Sequence, residues 1–212
     1  GRWVRASAAL DGLMGQAIDH AGIQFRMLNA SKGPAVRGPR SQADRRLYRE
    51  AIQALLQDEP TLTVIEAGAD DIELDDSGSI VGLLTDTGVR IGAGAVVITT
   101  GTFLRGKTFI GDEVLFEGRA GEAPSIAVAD TIERLGCRLE RLKTGTPARL
   151  DARTIGWAGL DIQPPDDVLV PFSTLTDKIM VPQVDCGVTF TTPDTHAIIR
   201  ENLDKSAVYS GA

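Results

Sequence analysis

Cysteine, histidine and long apolar runs are scarce in this sequence. Of its 212 residues, two are cysteine (Cys137 and Cys186) and two are histidine (His20 and His196). Neither type has the spacing of a zinc site, so we expect no bound metal. Two distant cysteines fit a reducing, cytoplasmic compartment, and we expect both thiols to be buried and structural; a reactive Cys186 is the alternative. No apolar run approaches ~18 residues, so we expect no membrane span.

Phosphate-binding glycine motifs are also missing. The sequence has no Gly-x-Gly-x-x-Gly, no P-loop, no nucleophile elbow and no evident catalytic dyad, so the catalytic residues are unknown. Gly92 and Gly94 precede an apolar run instead of following it, and from there they cannot cradle a pyrophosphate at a helix N-terminus. The chain begins with Gly1 rather than Met, and we expect it to be a piece of a longer protein.

The composition is that of a globular protein, with 42% hydrophobic and 24% charged residues. The net charge is −7, yet residues 1–50 hold nine Lys or Arg against four Asp or Glu. Arg37, Arg40, Arg45 and Arg46 belong to this basic region and fit a surface that faces tRNA or a second subunit. A solvated helix and loop explain the same arginines, and both interpretations stay open.

Apolar spacing and turn residues predict the elements of secondary structure. Helices are expected over residues 10–21, 41–57, 125–135 and 195–203. Strands are expected over residues 24–28, 62–65, 70–74, 79–84, 88–91, 95–98 and 138–142. The Ser-x-x-Asp pattern of Ser41 and Asp44 predicts an N-terminal capping box for the second helix. The strands over 70–91 read as a three-stranded antiparallel meander.

The most informative segment is 95–107, with the sequence AVVITTGTFLRGK. Its apolar run over 95–98 does not alternate, which is typical of a parallel strand covered on both faces. The run ends at Thr99-Thr100-Gly101, where glycine permits a tight turn and a close approach to a ligand. Ligands of open α/β sheets bind at the carboxyl ends of strands, so the segment predicts the floor of a nucleotide site. An ordinary corner between a strand and a loop is the alternative.

Four further segments carry a family resemblance. They are FRMLNASKGPAVRGPRSQADR (25–45), GRAGEAPS (118–125), RLKTGTPARLDARTI (141–155) and THAIIRENLDKSAVYSG (195–211). With TTGTFLRGK between the first and the second, this ordered set resembles the GidA/MnmG family of FAD-dependent proteins that modify the wobble uridine of tRNA. The resemblance covers nearly the whole chain.

The resemblance implies an α/β fold. Residues 1–102 would be part of a Rossmann-like FAD-binding domain of the glutathione-reductase type, with the meander as a crossover between parallel strands. Residues 103–212 would be an inserted α+β domain associated with NADH. The Gly-rich FAD turn, a later cysteine-bearing segment and the C-terminal helical region of the family would lie outside this chain.

The resemblance also implies a function. Family members act in the cytoplasm as homodimers and form a heterotetramer with a GTPase of the MnmE type. Using FAD, NADH and a folate-derived carbon, they add an aminomethyl or carboxymethylaminomethyl group to C5 of the wobble uridine. The isolated chain would be inactive. The alternatives are a folate- and FAD-dependent tRNA (uracil-5-)-methyltransferase and a non-catalytic RNA-binding module built on the basic N-terminal region.

Four residues match positions that contact FAD in the family. Ala69 would hold the adenine end through main-chain groups, while Thr100 and Gly101 would lie beside the dinucleotide. Ser125 matches a serine that contacts FAD, although it also stands where a helix cap is expected. For Ala69, an ordinary connector residue is the alternative.

Three cations lie in Gly-rich, loop-like surroundings. Arg119, Lys143 and Arg149 are candidates to grip phosphates of NADH or tRNA. A solvated surface explains each of them equally well. His196 reads as a residue at the start of a helix rather than as a catalyst.

Overall fold

The structure is a computed structural model that describes residues 2–147, 149–206 and 209, without the side chain of Arg2. It divides into two compact units. Unit 1 consists of residues 1–63 and 150–190, and unit 2 consists of residues 64–149 and 191–212. The units alternate along the chain and so do not follow the expected division into 1–102 and 103–212. That division concerns domains of a larger protein and stays a prediction.

The elements are short. The helices of the described residues are α1 (Arg2–Ala8), α2 (Leu13–Ala21), α3 (Arg45–Gln57), α4 (Ala127–Arg134) and α5 (Pro193–Glu201). The strands are β1 (Gly22–Leu28), β2 (Gly38–Ala43), β3 (Ala69–Leu74), β4 (Ile80–Thr85), β5 (Arg90–Gly92), β6 (Thr108–Ile110), β7 (Glu113–Leu115), β8 (Asp161–Gln163) and β9 (Cys186–Val188). Strands pair as β1-β2, β3-β4-β5, β6-β7 and β8-β9, each pair antiparallel.

Unit 1 has its core between α2, β1 and the loop before β9. Phe25, Phe172 and Ile179 form the buried apolar cluster. Beside it, Asp19 of α2 is 2% exposed, and its carboxylate accepts hydrogen bonds from the main-chain N–H groups of Phe172 (2.8 Å) and Ser173 (2.9 Å). Because a buried carboxylate needs such donors, this contact fixes the loop onto α2.

Unit 2 is built on the three-stranded meander, with α4 packed against β3. Val128 and Ala129 of α4 are buried. Asp71 of β3 accepts a hydrogen bond from the Thr131 hydroxyl (2.6 Å) and pairs with Arg134. The Thr131 hydroxyl and the Arg134 charge hold the pKa of Asp71 below its ordinary value. Apolar packing and a charged pair therefore both join the helix to the sheet.

Most elements with a strong local pattern form as the sequence predicts. The meander, α4 and α5 lie within a few residues of their expected bounds. The cap of α3 was predicted wrongly. Ser41 is paired with Phe25 inside β2, and Asp44 caps the helix instead, accepting from the main-chain N–H of Leu47 at 2.9 Å. Because Ser41 belongs to β2, which pairs with β1, it lies outside the helix and cannot cap it.

Three predicted strands, over 62–65, 95–98 and 138–142, do not form among the described residues. Val97 is 86% exposed, so the burial expected of the 95–98 run is wrong for this chain. Val64, in the 62–65 run, is 75% exposed. A strand needs a neighbouring strand for its N–H and C=O groups, and no strand of the described residues pairs with these segments. The mixed α/β content is confirmed, whereas the described strands form no parallel sheet and the Rossmann-like arrangement stays a prediction.

The cysteines also differ from expectation. Cys137 is exposed, beyond the end of α4, and Cys186 of β9 is half-buried; both are free thiols. The Cys186 sulfur accepts a weak hydrogen bond from the Gln42 amide at 3.5 Å. The expectation of two buried structural thiols is therefore wrong, most clearly for Cys137, which lies in the exposed segment after α4.

Candidate functional site

The segment after residue 98 forms a tight turn. The main-chain N–H of Phe103 donates to the carbonyl of Thr100 at 3.0 Å. Gly101 has φ 57°, in the left-handed region that favours glycine. A Cβ at Gly101 would meet nothing within 4 Å, so the space beside the turn is open. The sequence therefore predicts the turn correctly, although the strand expected before it does not form.

Ser125 contacts this turn directly. Its main-chain N–H donates to the carbonyl of Phe103 (2.8 Å), and its carbonyl accepts from the N–H of Arg105 (2.9 Å). Leu104 and Ser125 form an isolated parallel bridge. Thus the structure brings Ser125 into one loop cluster with Thr100 and Gly101, which lie 25 and 24 positions before it in sequence.

The cap interpretation of Ser125 is wrong. The N-cap position of α4 is Ile126, and no side chain caps the helix. The first N–H groups of a helix have no partner inside the helix and carry a partial positive charge. Among the described residues no hydrogen bond occupies the Ser125 hydroxyl, so the hydroxyl and the start of α4 both offer donors to a ligand.

Thr102 and Gly118 join the segment before Ser125 to the turn. The Thr102 hydroxyl donates to the carbonyl of Gly118 at 2.6 Å. A Cβ on Gly118 would collide with the ring and backbone of Phe103, which explains glycine at this position. Glu117 accepts from the Thr108 hydroxyl (2.5 Å) and the Gly121 N–H (2.9 Å), and these bonds lower its pKa. The segment 117–121 is thereby fixed beside the turn.

The chain is similar to known proteins over its whole length. All of residues 1–212 match the family described as glucose inhibited division protein A. The chain belongs to the GidA family. Its relative from Granulibacter bethesdensis, "tRNA uridine 5-carboxymethylaminomethyl modification enzyme MnmG", is 50% identical over the whole chain, which covers 34% of that relative.

Two solved structures of GidA from Aquifex aeolicus are also similar. One has 45% sequence identity and a TM-score of 0.89, and the match covers 97% of this chain and 35% of that one. The other has 44% identity and a TM-score of 0.87, with 96% and 35% covered. The chain thus spans about a third of the length of the GidA relatives it matches.

Ala69, the fourth residue expected at the cofactor, opens β3 of this GidA chain and is exposed. It lies opposite Thr85, next to a bulge in the β3-β4 register. The preceding Gly68 exchanges hydrogen bonds with Asp86, its carbonyl accepting at 2.9 Å and its N–H donating at 3.2 Å. The main chain here is held in place and accessible, as a backbone contact requires.

The three candidate cations are placed differently from one another. Arg119 is paired with Glu122, to which its Nε donates at 2.9 Å. Lys143 and Arg149 are exposed and have no charged partner among the residues that the structure describes. The loop that carries them reaches the turn through Arg141, which donates to the carbonyl of Arg105 at 3.5 Å. Among the described residues, no contact brings the three cations together.

Three of the four N-terminal arginines make contacts within the chain, and the basic surface that they were expected to form stays a prediction. Arg40 donates to the Gln24 side chain at 3.3 Å, and Arg46 pairs with Glu50 on α3. Arg37 donates to the carbonyl of Ala30 at 3.1 Å. His196 lies in the first turn of α5, as expected, and its Nε2 is 2.6 Å from the Thr191 hydroxyl.

Arg105 is the residue that sequence reasoning missed. Its guanidinium Nη2 donates to Asp130 (2.5 Å) and Glu133 (2.6 Å) of α4. The sequence held one signal for this role. Asp130 and Glu133 lie three positions apart, and therefore on one face of the helix that was predicted to follow the turn. In the part of the chain that the structure describes, no three His, Cys, Asp or Glu side chains form a possible metal site, and no helix has the length and apolar character to cross a membrane.

Proposed function

We propose that this chain is part of an FAD-dependent protein that modifies C5 of the wobble uridine of tRNA. The observation that carries the proposal is the match of all 212 residues to the GidA family, including 50% identity to a tRNA uridine 5-carboxymethylaminomethyl modification enzyme. Because the chain spans about a third of that relative, the activity belongs to a larger protein. Residues 1–212 alone are expected to be inactive.

The loop cluster has the features that a dinucleotide requires. Thr100, Gly101 and Ser125 would hold FAD through the turn, a free hydroxyl and the uncapped start of α4, where N–H groups favour a phosphate. The exposed main chain at Ala69 would contact the adenine end. When bound, the flavin supplies the redox chemistry of the reaction, with NADH as the reductant. The role of these residues is to bind and orient it.

The two exposed apolar runs support the same arrangement. Residues 62–65 and 95–98 flank the meander on either side in sequence, and both carry β-branched residues that face solvent in this chain. Exposed runs of this kind mark surfaces that are covered in the working protein. We place them as neighbouring strands in the sheet of an FAD-binding domain, with the meander between them as the crossover.

Partners follow from the same proposal. Arg119, Lys143 and Arg149 would bind phosphates of tRNA or NADH, with Arg119 exchanging Glu122 for the phosphate. The larger protein would be a cytoplasmic homodimer that works with a GTPase of the MnmE type. These assignments rest on the family.

Flavin binding tests the cofactor assignment. The gene is expressed once with its flanking coding sequence and once as residues 1–212, and bound flavin is measured by absorbance. We expect one FAD per chain in the first protein and no stoichiometric FAD in the second. In the first protein, Ser125→Ala should weaken FAD binding about fivefold through loss of one hydrogen bond. Ser79→Ala, at an exposed serine of the meander, is the matched control.

Two results would contradict this assignment. Stoichiometric FAD on residues 1–212 alone would show that no element outside the chain is needed. Equal affinity of the Ser125→Ala and Ser79→Ala proteins would remove Ser125 from the site.

A further inference from the structure

Arg105 has an unusual backbone for its residue type. Its φ is 45°, in the left-handed region, where a residue with a side chain is uncommon. Such a conformation persists only when the surrounding structure fixes the residue from several sides. Arg105 directly follows the Thr100–Leu104 segment, so whatever fixes it also places the turn.

Contacts hold Arg105 from three directions. Its N–H donates to the carbonyl of Ser125 at 2.9 Å, and its carbonyl accepts from Arg141 at 3.5 Å. Its guanidinium binds Asp130 at 2.5 Å and Glu133 at 2.6 Å, one turn apart on α4. One residue therefore joins the turn, the start of α4 and the loop that carries Lys143.

We propose that Arg105 is a positioning residue, whose ion pairs with Asp130 and Glu133 hold the Thr100–Gly101 turn against Ser125. The inference rests on the proposed function, because the geometry it sets is that of the FAD site. Arg105 itself does not touch the cofactor. It acts through the main chain of the turn.

We expect the ion pairs of Arg105 to fix the position of the turn without adding much to the free energy of folding. The side chains of Arg105, Asp130 and Glu133 are 39%, 62% and 46% exposed. Exposed pairs of this kind contribute little to the free energy of folding. Their loss is therefore expected to leave the melting temperature nearly unchanged while it frees the turn to move.

The experiment measures FAD affinity in the protein expressed with its flanking sequence. Arg105→Ala and Arg105→Gly should each weaken FAD binding about three- to fivefold, since two exposed ion pairs are lost together. Gly relieves the backbone angle but lacks the guanidinium, so it separates the two effects. Arg105→Lys, which keeps a charge, should recover part of the affinity. Arg138→Ala, which breaks the exposed pair with Glu140, is the control and should bind as wild type.

A double-mutant cycle gives the decisive reading. The Asp130→Asn/Glu133→Gln protein should reproduce the defect of Arg105→Ala, and adding Arg105→Ala to it should cause no further loss. Wild-type affinity in Arg105→Ala and Arg105→Gly, or defects that add in the combined variant, would overturn the proposal while leaving the FAD assignment intact.

Amide hydrogen exchange tests the positioning role of Arg105 without relying on a measurement of FAD binding. Arg105→Ala should speed exchange of two amides. The Phe103 amide donates to the carbonyl of Thr100 within the turn, and the Ser125 amide donates to the carbonyl of Phe103. The Arg138→Ala control should not speed exchange of either amide. If the wild-type protein holds no FAD, the proposed function fails, and unchanged exchange at Phe103 and Ser125 would then overturn the positioning role as well.

Discussion

The main-chain N–H of Ser125 donates to the carbonyl of Phe103 at 2.8 Å, across 22 positions of sequence. This bond places the start of α4 beside the turn at Thr100 and Gly101. The bond joins two segments that are separate motifs in the sequence, TTGTFLRGK and GRAGEAPS, into one loop cluster.

Gly118→Ala should destabilise unit 2. A Cβ at this position collides with Phe103, so the turn or the ring must move, at a cost of about 1–3 kcal/mol. Chemical denaturation of the purified chain measures the loss. Gly92→Ala is the matched control, because a Cβ there meets nothing within 4 Å. Equal stability of the two variants would show that the contact with Phe103 is not tight.

Asp19→Ala should destabilise unit 1 strongly. The substitution leaves the buried N–H groups of Phe172 and Ser173 without an acceptor, at a cost of about 2–4 kcal/mol. Asp177→Ala, at an exposed aspartate of unit 1, is the control. The midpoint of urea unfolding, followed by a probe in unit 1, reports the difference. A midpoint shared with Asp177→Ala would contradict the role of the buried carboxylate.

Asp71 should make unit 2 sensitive to acid. Its hydrogen bond from Thr131 and its pairing with Arg134 lower its pKa from the ordinary value of 3.8. Because the unfolded state then takes up the proton first, the contribution is complete above about pH 4 and is lost as pH falls through the lower, folded pKa. Asp71→Asn should flatten the dependence of stability on pH in that acid range, whereas Asp76→Asn should not. Unfolding curves between pH 5 and pH 2.5, chosen to bracket the values that proteins give to aspartate, provide the check.

Val97→Asp should have opposite effects in two contexts. In residues 1–212 alone, where Val97 is 86% exposed, a charge should reduce aggregation measured by light scattering. In the protein expressed with its flanking sequence, the same charge would enter a buried strand and should abolish flavin binding. Val168→Asp, at a valine that is 75% exposed in unit 1, is the control. Improved behaviour in both contexts would argue against a covering sheet.

Local patterns predicted the elements whose stability is local. The meander has turn residues at each end, and α4 has apolar residues at helical spacing, so both could be read from sequence. The run at 95–98 could not, because a strand forms only where neighbours exist. Ser41 lost its cap role for a related reason, since pairing with Phe25 competes with the local signal.

The candidate site was predicted in part. Thr100, Gly101 and Ser125 were identified by family resemblance, and the structure brings them together. Arg105 was missed because its role depends on acids 25 and 28 positions away. Lys143 and Arg149 stay predictions, because no contact among the described residues assigns them a ligand.

The most direct test of the account is the nucleoside composition of tRNA. The gene, with its flanking coding sequence, is expressed in a bacterial strain that lacks its own GidA-family gene, and digested tRNA is analysed by mass spectrometry. The account predicts return of aminomethyl or carboxymethylaminomethyl uridine at the wobble position. Absence of these nucleosides in a strain that contains the folded protein, or appearance of 5-methyluridine elsewhere instead, would contradict it.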